Sequence, residues 1–235
     1  YTYSWSGPSS YSSYVQNISS LAPGTYSVIV TGKKGCSKTT TVTITQPSVV
    51  TATVASTTYN GGFNIACYGG NSGSISSSVA GGTAPYTYTW SSSPIQTTAN
   101  ASNLTAGNYT LTVKDANNCV LTKTITLTQP NNFTTSIGAQ QNVACFNDAT
   151  GSVTLTTNGG TSPYTYIWNT TPVQSNAVAT NLSAGNYTAT IKDANNCTHT
   201  QTVSITQPSA ALNANISSQI NVACHGNSTG SASVT

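Results

Sequence analysis

Apolar and polar residues alternate with a period of two through most of the chain, in short runs bounded by Gly, Pro, Asn and Asp; helical spacing appears nowhere. Val49 to Val54 reads as one strand, entered after Gln46-Pro47. Ile75, Ser77 and Val79 share one face of the next run, and Val153, Leu155 and Thr157 take the same register later in the chain. After the loop Gly81 to Pro85, strict alternation in PYTYTW puts Tyr86, Tyr88 and Trp90 on a common face. In the run that follows, Tyr109, Leu111 and Val113 point one way; a turn at Asp115 to Asn118 leads into a last strand whose Leu121, Ile125 and Leu127 point inward, and Pro130 ends it.

The pattern repeats. Cys67 to Pro130 aligns without a gap with Cys145 to Pro208 over 64 positions, about half of them identical. YTYSW from Tyr1, LAPGTY from Leu21 and TITQP ending at Pro47 match a copy in front, and NVACHGNSTGS from Asn221 begins another behind. The expected division is the C-terminal part of repeat 1 over 1–47, repeat 2 over 48–130, repeat 3 over 131–208 and the N-terminal part of repeat 4 over 209–235, a window on a longer array. Leu104, Gly107 and Tyr109 resemble the tyrosine corner of immunoglobulin-like sandwiches, with Tyr26 and Tyr187 at the same place in neighbouring copies. Those tyrosines, with Trp5, Trp90 and Trp168, are the expected structural residues of the core. The fold class is all-β, a tandem array of immunoglobulin-like β-sandwiches. Because Gln-Pro joins successive repeats with no Gly/Ser linker, the array should form an extended rod or filament.

Composition narrows the function. Charged residues are only 4% of the chain and the net charge is +3, too little to hold a phosphate backbone through counterion release, so nucleic acid is not an expected partner. Abundant Tyr, Val, Ile and Thr argue against disorder. No apolar stretch approaches the roughly 20 residues of a membrane span.

Six cysteines at recurring places in a weakly charged chain point to disulfides and an extracellular setting. Cys67 and Cys119 are 52 residues apart, as are Cys145 and Cys197. The favoured pairing is one bridge within each repeat, 67–119 and 145–197, each worth about 4 kcal/mol in the chain-entropy model. Cys36 and Cys224 would then find partners outside the window. In a seven-strand sandwich, however, the first and last hairpin turns lie at opposite ends. Only 14 positions separate Trp90 from Leu104, an interval short enough for a strand to be missing there, and the pairing within a repeat then expects both turns to share an end. The alternative is Cys67 to Cys197, across neighbouring repeats.

Nothing in the chain reads as an enzyme. The three acidic residues, Asp115, Asp148 and Asp193, supply no carboxylate pair within a unit, and Asp115 and Asp193 read as turn formers. No catalytic residue, cofactor or metal site is expected: there is no CxxC, and His199 and His225 do not recur in the second copy. Lys114 and Lys192 read as solvated strand lysines. Tyr86, Tyr88, Trp90 and Tyr164, Tyr166, Trp168 read as core in preference to a sugar-stacking platform. The threonine-alternating runs Thr39 to Gln46 and Thr122 to Gln129 raise ice binding as a minor alternative, though outward Thr also suits a strand by propensity alone.

The ordered set Cys-x-G, GS(I/V), GGT(A/S)PYTY(T/I)W, NL(T/S)AGNYT, (V/I)KDANNC and T(L/I)TQP resembles the SprB repeat of gliding-motility adhesins of Bacteroidota-type bacteria. It spans both full copies, with Asn147 replacing the first Gly in the later one; in the first copy TGKKGC replaces KDANNC. The resemblance implies a very large repetitive cell-surface protein, exported by type IX secretion and moved along the surface by the gliding motor. Implied partners are neighbouring repeats, the outer-membrane motility machinery and surface polysaccharide. Two roles follow: a structural stalk, or repeats that bind polysaccharide or a host surface directly. Inward aromatics would favour the first and exposed aromatics on an outer sheet the second.

Overall fold

A computed structural model describes the whole chain, Tyr1–Thr235. It is all-β. The first repeat contributes β1 (Thr2–Gly7), β2 (Tyr11–Ser13), β3 (Gly24–Thr31) and β4 (Ser37–Ile44), in one antiparallel sheet ordered β2-β1-β3-β4. The second contributes β5 (Thr51–Ser56), β6 (Gly73–Ala80), β7 (Thr87–Trp90), β8 (Ala101–Leu104), β9 (Gly107–Lys114) and β10 (Val120–Leu127). The third contributes β11 (Thr134–Gln141), β12 (Gly151–Asn158), β13 (Thr165–Trp168), β14 (Val178–Leu182), β15 (Gly185–Lys192) and β16 (Thr198–Ile205); β17 (Ile216–Ile220) and β18 (Ser231–Val234) pair in the last segment.

The chain divides into two compact units. One holds Tyr1–Val54, Ser77–Ala99 and Thr110–Thr124; the other holds Ala55–Ser76, Asn100–Tyr109 and Ile125–Thr235. Their boundary runs through the second repeat, whereas the third lies wholly within the second unit.

The third repeat displays the sandwich in full. Its sheets are β11-β12-β14 and β13-β15-β16, which is the A-B-E and C-F-G order of an immunoglobulin fold with no D strand. Alternation puts Val153, Leu155, Trp168, Ala179, Leu182, Ala189, Ile191, Val203 and Ile205 into one core drawn from both sheets. Gln174 compensates for the absent strand. Its backbone carbonyl accepts the Trp168 N–H at 3.0 Å, while its side-chain amide bonds the Thr180 N–H and C=O, both at 2.9 Å. A single residue thus pairs with β13 and with β14, and a short crossover suffices. The second repeat has the same strand order, β5-β6-β8 and β10-β9-β7. Its buried Ile75, Trp90, Ala101, Leu104, Leu111, Val113 and Leu127 stand at the aligned positions of the third repeat's core.

The tyrosine corners form as local ties. Tyr26, Tyr109 and Tyr187 donate their hydroxyls to the carbonyls of Ala22, Thr105 and Ser183, four residues upstream in each case. Trp90 and Trp168 are fully buried, and their indole N–H groups donate to Thr98 O and Asn176 O; the half-buried Trp5 donates to Val15 O. One strand boundary differs from expectation. Val49 is 81% exposed and β5 starts at Thr51, because the Ser48 carbonyl accepts the Gly82 N–H and holds this stretch to a loop, outside the ladder.

Candidate functional site: the joint between two repeats

The cysteines sit on two kinds of local structure. Cys67 and Cys145 lie in the loop between the first two strands of a repeat, called here the cysteine loop. Cys119 and Cys197 end the tight turn between the last two strands. In the third repeat the cysteine loop is tied beyond the end of β16: Val143 donates to Thr206 O, Thr206 N–H donates to Asn142 Oδ1, and Asn147 N–H donates to Gln207 Oε1. The turn is tied at the start of the same strand. Asp193 Oδ1 accepts the N–H groups of Asn195 and Cys197, both at 2.9 Å, and Oδ2 accepts the Thr161 N–H at 2.9 Å. Gly160 lets that carboxylate approach; its φ is +61°, and a Cβ there would lie 2.9 Å from Asp193 Oδ2.

Loop and turn therefore lie at opposite ends of an eight-residue strand, roughly 24 Å apart at strand rise. A disulfide needs Cα atoms within about 7 Å. The favoured pairing within a repeat is thus corrected: losing the D strand shortens the crossover but leaves these two ends where a seven-strand sandwich has them. The structure instead joins Cys67 of the second repeat to Cys197 of the third, with Cα atoms 5.7 Å apart. Cys119 and Cys145 carry exposed free thiols, as do Cys36 and Cys224.

Polar contacts surround the bridge, all of them within the second compact unit. Between Cys67 and β5 the second repeat carries an excursion, Tyr59 to Phe63, that lengthens its cysteine loop relative to the third. Asn60 at its tip donates its N–H to Asn195 Oδ1 at 3.1 Å and its side-chain amide to Ala194 O at 2.9 Å. Asn195 Nδ2 in return reaches Asn60 O, Ala66 O and Thr161 Oγ1, two hydrogens shared among three acceptors. Cys197 Sγ lies 3.3 Å from Ala66 O, a contact only, since a disulfide sulfur has no proton to donate. Beside the bridge a cleft is lined by Tyr68, Phe133, Asp193 and His199, with Phe133 stacked on Tyr164 at 5.7 Å. The peptide connection is pinned as well, by Gly160 N–H to Asn131 O at 3.0 Å.

Asp115 builds the same turn in the second repeat. Its carboxylate accepts N–H groups from Thr83, Asn117 and Cys119. Burial pushes its pKa up, but these three backbone donors outweigh burial and hold it below the ordinary carboxylate value. Asp115 and Asp193 are thus buried acceptors that tie a turn to a neighbouring loop, a role beyond turn formation alone. In the first repeat the turn closes without a carboxylate, through Gly32 N–H to Cys36 O and Gly35 N–H to Gly32 O, with Gly35 at φ +84°.

Other candidate residues remain apart from any site. Lys114 and Lys192 are exposed, and no three His, Cys, Asp or Glu side chains gather as metal ligands. Tyr86, Tyr88, Tyr164 and Tyr166 are half-buried on the face of the buried tryptophans. Thr39, Thr41, Thr43, Thr122, Thr124 and Thr126 are exposed on strand faces. No helix is long and apolar enough to cross a membrane. Sequence reasoning missed two kinds of anchor. Gln129 and Gln207, the Gln of each Gln-Pro, accept N–H groups from the cysteine loops at 2.9 Å, a role their recurrence could have signalled. Asn60 has no counterpart in the third repeat, so no recurrence marked it.

The SprB repeat model matches residues 64–94 and 137–172. No curated protein sequence matches the chain. Among solved structures, the N-terminal eight Ig domains of Down Syndrome Cell Adhesion Molecule (DSCAM), isoform 1.30.30, align at 10% identity with a TM-score of 0.37, covering 86% of this chain. The chain spans only 31% of that one. The first matched segment opens within the cysteine loop of the second repeat and the other in β11, just before the cysteine loop of the third; both close just past a buried tryptophan, so these two segments are similar to the SprB repeat.

Proposed function

We propose that the chain is a load-bearing stalk segment of a large, repetitive bacterial cell-surface adhesin of the SprB kind, divided at 47, 130 and 208 into four repeat segments. The observation that carries this reading is the Cys67–Cys197 bridge, because it links one repeat to the next a second time, beyond the peptide bond. A pull along the chain then reaches the third repeat through two covalent routes. A bridge of this kind requires an oxidising compartment, which supports an extracellular site. The role is structural and non-enzymatic, and the direct partners are neighbouring repeats. Inward aromatics and exposed Ser/Thr faces favour the stalk over repeats that grip polysaccharide directly; adhesion then resides in another part of the protein. The finer reading is that the stalk is exported by type IX secretion and carried by the gliding motor.

Beads coated with antibody against residues 131–208 test this on living cells. Beads that bind and travel along gliding cells support the full proposal. Beads that bind but stay anchored retain the stalk and remove gliding. Failure to bind intact cells, with binding to lysate, contradicts a surface role.

A further inference from the structure

One joint is closed, and the parts of two more are built to its plan. The peptide connection entering the second repeat is pinned as the one entering the third is: Gly82 N–H donates to Ser48 O at 2.8 Å, and Gly160 N–H donates to Asn131 O at 3.0 Å. The turn beside each connection follows suit. Thr83 N–H donates to Asp115 Oδ2 as Thr161 N–H does to Asp193 Oδ2, and Asn117 Nδ2 reaches Thr83 Oγ1 as Asn195 Nδ2 reaches Thr161 Oγ1. Ala116 N–H donates to Thr83 O, and Ala194 N–H to Thr161 O, at 2.8 Å in both. The Cys119 turn is therefore tied to the connection from the first repeat as the bridged Cys197 turn is tied to the connection from the second. At the exit of the third repeat, the Cys145 loop hangs on its last strand by the bonds that hold the bridged Cys67 loop. Val143 N–H to Thr206 O matches Ile65 N–H to Thr128 O, and Asn147 N–H to Gln207 Oε1 matches Gly69 N–H to Gln129 Oε1. Cys119 and Cys145 are exposed and free. The two kinds of cysteine also carry different local signatures. Those of the loops follow Asn-(Ile/Val)-Ala, from Asn64, Asn142 and Asn221, whereas those of the turns follow a residue of positive φ, Gly35 at 84°, Asn118 at 64° and Asn196 at 63°.

We infer that the covalent joint is serial along one chain: the Cys119 turn receives the cysteine loop of the repeat that ends at Pro47, and the Cys145 loop docks on the turn of the repeat that opens at Ser209, each pair closing as a disulfide. This rests on the proposed reading of the chain as a stretch of a longer array. The closed joint fixes the direction, from the loop of one repeat to the turn of the repeat after it. Cys119 and Cys145 are a turn and the loop of the following repeat, which is the reverse order, so they are not partners of each other. The closed joint also supplies the contact: a loop presents a carbonyl, Ala66 O, to the turn's asparagine amide while the sulfurs meet. Ala144 stands at the aligned place in the Cys145 loop, and Asn117 in the Cys119 turn. Consecutive bridges then overlap, because the loop cysteine of each repeat lies 52 positions ahead of its turn cysteine, as at Cys145 and Cys197. Every residue of the bridged array falls inside at least one closed loop, and a pull cannot lengthen the array until a bridge is reduced. A disulfide oxidant of the extracellular compartment closes each pair. The loop thiolate attacks it and releases one thiolate; the turn thiolate attacks the mixed disulfide and releases the second, so two protein thiols reduce one disulfide to two thiols.

The test uses the protein as cells make it. The protein is extracted with free thiols blocked and digested without reduction, and the peptides joined to Cys119 and Cys145 are released by reduction and sequenced. The expected partner of Cys119 is a cysteine that follows Asn-(Ile/Val)-Ala, from a loop ahead of Tyr1; that of Cys145 is a cysteine that follows Gly or Asn in a turn beyond Thr235. Asn117→Ala, introduced at the chromosomal locus, should make the Cys119 bridge about fivefold easier to reduce, the effect of one lost hydrogen bond, and leave the Cys145 bridge as it was. Loop joined to loop, turn joined to turn, Cys119 joined to Cys145, or either thiol recovered in blocked form overturns the inference. The same map reads Cys67–Cys197. If that linkage is present while Cys119 or Cys145 is free, serial closure fails and the stalk keeps its one bridge; if it is absent, the joint fails and takes the load-bearing reading with it.

Discussion

The cysteine loops of the second and third repeats hang on the same frame, yet they meet different fates. Both are anchored past the last strand by an Asn and by the Gln of a Gln-Pro, and both display a cysteine. Only the second carries the Tyr59 to Phe63 excursion, whose Asn60 makes three hydrogen bonds with Ala194 and Asn195 of the next repeat. The shared frame aims the thiol. The excursion adds a noncovalent grip that holds the receiving turn in register. A repeat can therefore keep one mode of covalent coupling while its neighbours differ in how firmly each joint is seated.

The largest effect should come from the bridge. Cys67→Ser opens a closure spanning 130 residues, about 5 kcal/mol in the chain-entropy model, read by denaturant unfolding; Cys145→Ser, in the unbridged loop, should leave the curve unchanged. Equal effects would erase the distinction. Asp193→Ala comes next. It orphans three N–H groups at the receiving turn and should cost about 3 kcal/mol, seen as a lower midpoint and easier reduction of Cys67–Cys197.

Asn195→Ala should cost about 1–2 kcal/mol, and a double-mutant cycle with Asn60→Ala should give a coupling near 1 kcal/mol. Additive effects in that cycle would mean that the excursion does not grip the turn. The smallest effect is on acidification. The folded pKa of Asp115 lies below its ordinary value of 3.8, so its contribution is complete above that value and disappears as pH falls through the lower folded one. Amide exchange at Asn117 and Cys119 should accelerate there, while the Gly32 to Cys36 turn, which has no carboxylate, should not respond.

Much of this was legible in the sequence because it is local and periodic. Alternation at Tyr109, Leu111 and Val113 located a buried face, and the recurrence of Leu104, Gly107 and Tyr109 identified the corner. The missing strand was visible as the short interval between Trp90 and Leu104. The disulfide was not, since the equal 52-residue spacings fit either pairing and only the order of strands in space says which ends meet. Asn60 was equally hidden, because it occurs once and its partners lie about 135 residues away. The Asp of DANNC reads from sequence as a turn former; that its second oxygen reaches the Thr161 N–H depends on how two loops pack.

The most direct test stretches single molecules of the chain from end to end, with and without reductant. With Cys67 joined to Cys197, the 130-residue span is shielded, and reduction should release about 450 Å of additional contour length while the remaining extension stays the same. A release of about 360 Å, the length held by two bridges of 52-residue spacing, or no change on reduction, would contradict a bridge that carries load from one repeat to the next.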